Sequence, residues 1–189
     1  MNYDARSAEC LVFPFKDGIF SAVGHDLKIR VDRFAIEVER ADPLAAESKA
    51  GPSIKAKFDA RSLRVVAAMR EGREEPNALG ESDKRKIQQS IAEEDLEAAK
   101  HPEIVFSSTR VEAVPKGFHI QGKLTLHGVT CPVDFLAART EQGMVAEVLI
   151  HQPDFGVKPY TAMLGTLKIK PGLRVQLILP GDVASMAKA

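Results

Sequence analysis

Five histidines, two cysteines and a scatter of carboxylates are the groups in this chain that could do chemistry. His25-Asp26 lies between two alternating apolar runs, His127 stands just before Gly128, and His151 ends a run ahead of Pro153-Asp154. A metal centre needs three or four converging ligands and further groups to orient them. The spacing offers no HxH, no HExxH and no paired cysteines, so neither a metal nor a cofactor is expected. His25, Asp26, His127 and Asp154 could instead meet near one end of the fold and bind the polar head of a ligand. The plainer alternative is that the carboxylates cap turns, as Asp side chains do for neighbouring backbone, while the imidazoles stay solvated. Cys10 and Cys131 read as free thiols of a reducing compartment, with a disulfide between them as the alternative.

Nucleophilic or paired-carboxylate catalysis finds no support. Ser107-Ser108-Thr109 is explained by strand propensity and alternation. Glu93, Glu94, Asp95 and Glu97 fit a solvated helix face. There is no GxSxG, no phosphate-binding glycine loop and no dinucleotide fingerprint. The chain is therefore expected not to be an enzyme.

The elements that must position these groups are mostly strands. Cys10 to Phe15 alternates, with Leu11, Phe13 and Phe15 on one side and Cys10, Val12 and Pro14 on the other. Alternation recurs over Lys28 to Glu39, Ser53 to Asp59, Phe118 to His127 and Leu173 to Leu179. A period of two with polar residues interleaved is the mark of antiparallel strands with one wet face. Asp17-Gly18, Pro115-Lys116-Gly117, His127-Gly128, Gln142-Gly143, Pro171-Gly172 and Pro180-Gly181 punctuate the runs as turns. One segment is helical in period: Ser82 is the expected N-cap, Asp83 sits in the first turn, and Ile87 and Ile91 share a face. Asp95 to Ala99 fits a further short helical turn, stopped before Pro102, and Ala41 to Gly51 fits a loop. Many strands with one helix point to a single all-β domain, a sandwich or an antiparallel barrel.

Composition narrows the function classes. The 189 residues carry 26 Lys+Arg against 26 Asp+Glu, so no general field draws in nucleic acid or an acidic membrane. No apolar run reaches the length of a membrane-spanning helix. The opening Met1-Asn2-Tyr3-Asp4-Ala5-Arg6 has neither a basic nor an apolar leader region, so a cytoplasmic location is expected, or a periplasmic one if a leader has been removed.

The stretch His101-Pro102-Glu103-Ile104-Val105-Phe106-Ser107-Ser108-Thr109 is followed by Gly122-Lys123-Leu124-Thr125-Leu126-His127-Gly128-Val129-Thr130 and then Pro132-Val133. In order and spacing these motifs resemble the signature of the YceI-like family of lipid- or polyisoprenoid-binding proteins. Weaker matches at His25, Ser62-Leu63, Asp154-Phe155-Gly156 and Val175 to Leu179 extend the resemblance over roughly residues 7 to 180. It implies one lipocalin-like antiparallel barrel of about eight strands around an apolar cavity. Such a cavity would bind, carry or sequester an isoprenoid or fatty chain, such as a polyisoprenoid quinone.

The inward positions would be Phe13, Ile29, Phe58, Phe106, Phe118, Ile120, Leu124, Leu126, Ala146, Val148, Ile150, Val175 and Leu177. These residues could equally pack as a solid core, leaving an interaction module with no small ligand. An enzyme acting on the lipid at the barrel mouth is the remaining alternative. An open sheet edge, or exposed apolar positions such as Val12 and Ile178, would favour a homodimer.

Overall fold

The computed structural model describes residues 1–17, 26–39, 52–141, 143–162 and 167–180. The alternating runs form strands β1 (Asn2–Asp4), β2 (Glu9–Asp17), β3 (Asp26–Val31), β4 (Phe34–Glu39) and β5 (Ser53–Asp59). They continue as β6 (Leu63–Arg70), β7 (Arg73–Glu75), β8 (Glu103–Val114) and β9 (Gly117–Leu126). The last four are β10 (Val129–Thr140), β11 (Gly143–His151), β12 (Thr161–Ala162) and β13 (Leu167–Leu179). Every ladder is antiparallel, in the order β1-β4-β5-β8-β9-β10-β11-β13-β2-β3-β6-β7, with β12 paired to β13 off this path.

The all-β, barrel-like class expected from the sequence is what the chain adopts, as one curled antiparallel sheet that makes a half-barrel. The strand count of about eight needs correcting. Among the described residues twelve strands lie on the continuous path, because short pieces such as β1 and β7 extend its edges. The run Lys28 to Glu39 is two strands, broken at Asp32-Arg33, where the Asp32 amide donates to the Ser62 carbonyl at 2.9 Å. Pro171-Gly172 is not a turn between strands. It lies inside β13, where the pairing with β2 slips between Ile169 and Leu173; a proline has no N–H to give a ladder, so the strand bulges there.

The helical period is real but starts earlier than expected. Helix α1 spans Glu81–Ser90 with Gly80 at its N-cap, so Ser82 stands in the first turn. A π-helical turn, Ile91–Asp95, continues it. Ile87 and Ile91 pack with Leu79 onto Leu27, Ile29 and Val65, and the Val65 amide donates to the Gln88 side-chain oxygen at 2.9 Å. The helix thereby covers the row Val12–Ile29–Val65, three residues paired across β2, β3 and β6.

The remaining core divides in two. One cluster gathers Cys10, Val31, Phe34, Ile36, Phe106, Phe118, Ala137, Met144 and Ala146; the other gathers Leu126, Ile150, Phe155 and Val157. Val12, offered above as an exposed apolar position, faces inward, and Ile178 is half-buried. The exposed large apolar side chains described in β10 and β11 are instead Val129, Leu136 and Leu149, at 39%, 59% and 81%. The loop expected over Ala41 to Gly51 lies outside the described residues.

Candidate functional site

The concave side of the half-barrel encloses a cavity of about 220 Å³. That exceeds the roughly 150 Å³ of an engineered apolar cavity that takes up benzene. Among the described residues, every one lining it is apolar or, at Cys10, a thiol. Alternation explains the lining: on β11, Met144, Ala146, Val148 and Ile150 point in, while Glu147 and Leu149 stand exposed on the other face.

Eleven of the thirteen expected inward residues line the cavity, namely Phe58, Phe106, Phe118, Ile120, Leu124, Leu126, Ala146, Val148, Ile150, Val175 and Leu177. Two do not. Phe13 lies on the opposite face of β2 from Cys10 and Val12, beneath the Arg174 guanidinium at 4.7 Å from its ring centre. Ile29 points to the concave side, but helix α1 occupies the space in front of it. Wall residues that the sequence reading did not single out include Val31, Ile36, Ala56, Leu96, Ile104 and Phe135. Burial in this wall pushes the Cys10 thiol up to about 12. Both cysteines are free, Cys10 buried and Cys131 half-buried, which closes the disulfide alternative.

Each described polar candidate has partners of its own. Asp26 accepts the Lys16 amide at 2.8 Å, and His25 lies outside the described residues. Asp154 faces His151, 2.9 Å from its Nδ1, while the Cys131 thiol donates to the Asp154 carbonyl at 3.3 Å. His127 has other company. Its Nε2 is 3.2 Å from Glu97 Oε2, and its ring centre is 4.7 Å from that of His101.

Local structure assembles this trio. After the π-helical turn, the Glu97 carbonyl accepts the amides of Lys100 and His101 at 2.8 and 3.0 Å, which folds His101 back beside Glu97. His127 arrives from the end of β9 in the left-handed region, at φ 52°, followed by Gly128 at φ 76°. A Cβ on Gly128 would fall 2.8 Å from the His101 ring, so only glycine lets that ring lie against the turn. The Lys100 ammonium, and after it His127, hold the Glu97 carboxyl below the ordinary carboxylate range. Leu96 and Leu126, the neighbours of Glu97 and His127 in sequence, line the cavity, which puts the trio at its rim.

Glu97 departs from the solvated acidic face expected of it, and His101, for which no role is expected, stands beside it. Glu93 and Glu94 are exposed, but Asp95 and Glu97 are half-buried, and burial followed by the charge of Glu94 pushes Asp95 up to about 6. The signal that was present is the spacing of four from Glu97 to His101, one helical turn.

A sequence model of the YceI-like domain matches residues 15–179. The chain belongs to the YceI-like family. Solved structures of similar shape include BcnA of Burkholderia cenocepacia, with a TM-score of 0.57 and 16% identity over 92% of this chain and 96% of that one. A polyisoprenoid binding domain from Saccharophagus degradans, implicated in plant cell wall breakdown, has a TM-score of 0.53 and 13% identity over 90% and 91%. At these identities the likeness is one of fold, and it extends nearly end to end in both proteins. No curated protein matches this YceI-like chain in sequence.

Proposed function

We propose that this YceI-like chain binds an isoprenoid or other apolar lipid chain in its half-barrel, and carries or sequesters it without turning it over. The observation that carries this reading is the cavity wall, which is apolar at every described residue. Such a wall gains about 25 cal/mol for each Å² of apolar surface it takes from water, with no directional contact needed. It also sets where the ligand's polar end must stay. A polar group drawn inside would lose its hydrogen bonds to water at a cost of roughly 2–7 kcal/mol. The headgroup therefore remains at the rim, on the side of Leu96 and Leu126, beside His127 of the expected headgroup set. An isoprenoid quinone, with a long apolar tail and a compact polar ring, suits this division. The domain of Saccharophagus degradans, described as polyisoprenoid binding, agrees with it.

Organic extraction of the purified protein followed by mass spectrometry tests the reading. The expected result is an isoprenoid or acyl chain in the extract, or taken up when the stripped protein is offered one, and recovered chemically unchanged. Failure to retain or take up any such chain would overturn it, and recovery of an altered molecule would replace carriage with catalysis.

A further inference from the structure

We propose that Glu97, His101 and His127 form a binding site for one divalent transition-metal ion of the zinc class. The three side chains each offer one donor atom, and these donors all lie within 4.8 Å of one another. In a tetrahedral zinc site, bonds of about 2.0–2.2 Å place neighbouring ligand atoms roughly 3.3–3.6 Å apart. His127 Nε2 and Glu97 Oε2 already stand at 3.2 Å, so closing the set asks only that the His101 donor come in from a separation of at most 4.8 Å.

The donor set fits this class of ion. Two neutral imidazoles and one carboxylate suit zinc and its neighbours rather than calcium or magnesium, which prefer oxygen ligands throughout. Three protein ligands also leave one coordination position for water or a ligand atom.

Two backbone features hold the donors together at a local cost. Glu97 and His127 both sit at positive φ, 41° and 52°, a region that non-glycine residues seldom occupy. All three side chains are half-buried, with His127 at 17% exposure, so water competes for them only in part. One neighbour opposes the ion: Lys100 pairs with the other oxygen of Glu97 and adds a positive charge beside the site. The site does not depend on the lipid reading, because nothing in it requires a filled cavity.

Titration of the full-length, tag-free, metal-stripped protein with Zn²⁺ by calorimetry, and with Co²⁺ by visible absorption, tests the proposal. One equivalent should bind, and Co²⁺ should give the intense bands of a tetrahedral site. Glu97→Gln and His127→Asn should each weaken binding by at least about tenfold, since even groups that merely support ligands are worth 10–100-fold. Asn tolerates the left-handed backbone at this position, and an unchanged circular dichroism spectrum would show that both variants fold. Lys100→Gln, at an exposed position, should tighten binding by freeing Glu97 from its competitor. Absence of saturable binding, or affinity unchanged in both ligand variants, would overturn the proposal, and weaker binding by Lys100→Gln would contradict the role given to Glu97.

Discussion

Cys10 stands in the cavity wall with 2% of its surface exposed, its thiol pushed up to about 12 by burial and then by the charge of Glu9. Cys131 is half-buried, its thiol donating to a backbone carbonyl. Because the thiolate is the reacting species, the two should separate under a disulfide reagent at pH 8. Native protein is expected to release close to one equivalent, from Cys131, and denatured protein two. Two equivalents released quickly from native protein would mean that the wall is open to water. The linkage has a sign as well. The folded value lies above the ordinary one, so stability from burying the neutral thiol is complete below about 9 and is lost as pH rises towards 12.

β2 is buried on both faces, with Cys10 at 2% on one and Leu11 and Phe13 at 4% and 8% on the other. Alternation sorts such a strand into two apolar sets without saying which faces inward. What separates them, Arg174 lying over Phe13, comes from a strand distant in sequence.

Among the elements, β9 shows how much a motif can say once its neighbours are in place. Gly122 pairs with Ser108, and a Cβ there would fall 2.4 Å from the Phe106 ring and 2.6 Å from the Ser107 carbonyl oxygen. The glycine is therefore a space requirement of the wall, set by a ring from the adjacent strand. Gly122→Ala should cost about 1–3 kcal/mol, in the range typical of overpacking, and displace Phe106 into the cavity. A melting temperature equal to that of the unsubstituted protein would show that the ring has free room to move. Strands with one wet face, such as Ser53–Asp59, were legible to the residue because polar and apolar side chains strictly alternate. Two features were not. The slip at Pro171-Gly172 imitates a turn, since proline's fixed φ beside a glycine marks a turn in sequence, whereas in this strand it is the missing proline N–H that disturbs the ladder. The trio of Glu97, His101 and His127 joins a local turn to a residue 30 positions from Glu97, which no local pattern reveals.

At the scale of the whole molecule, the sequence carried the all-β class and, through its motifs, the family, but not whether the interior is filled. Interior filling depends on how far opposed strands stand apart, and that follows from the curl of the entire sheet rather than from any one strand. Helix α1 illustrates the point. It fills the concave side over Ile29 and leaves it open over Ala146. Ala146, the small residue among the inward positions of β11, is where an added ring distinguishes an open cavity from a packed one.

The most direct measurement compares delipidated wild-type and Ala146→Phe proteins for uptake of an isoprenoid quinone, with the melting temperature of each recorded without ligand. An open cavity accommodates the ring, so the account predicts a near-native melting temperature together with clearly weakened uptake. A variant destabilised by the 1–3 kcal/mol of an overpacked core, approximately, or one that takes up the quinone as well as wild type does, would contradict it.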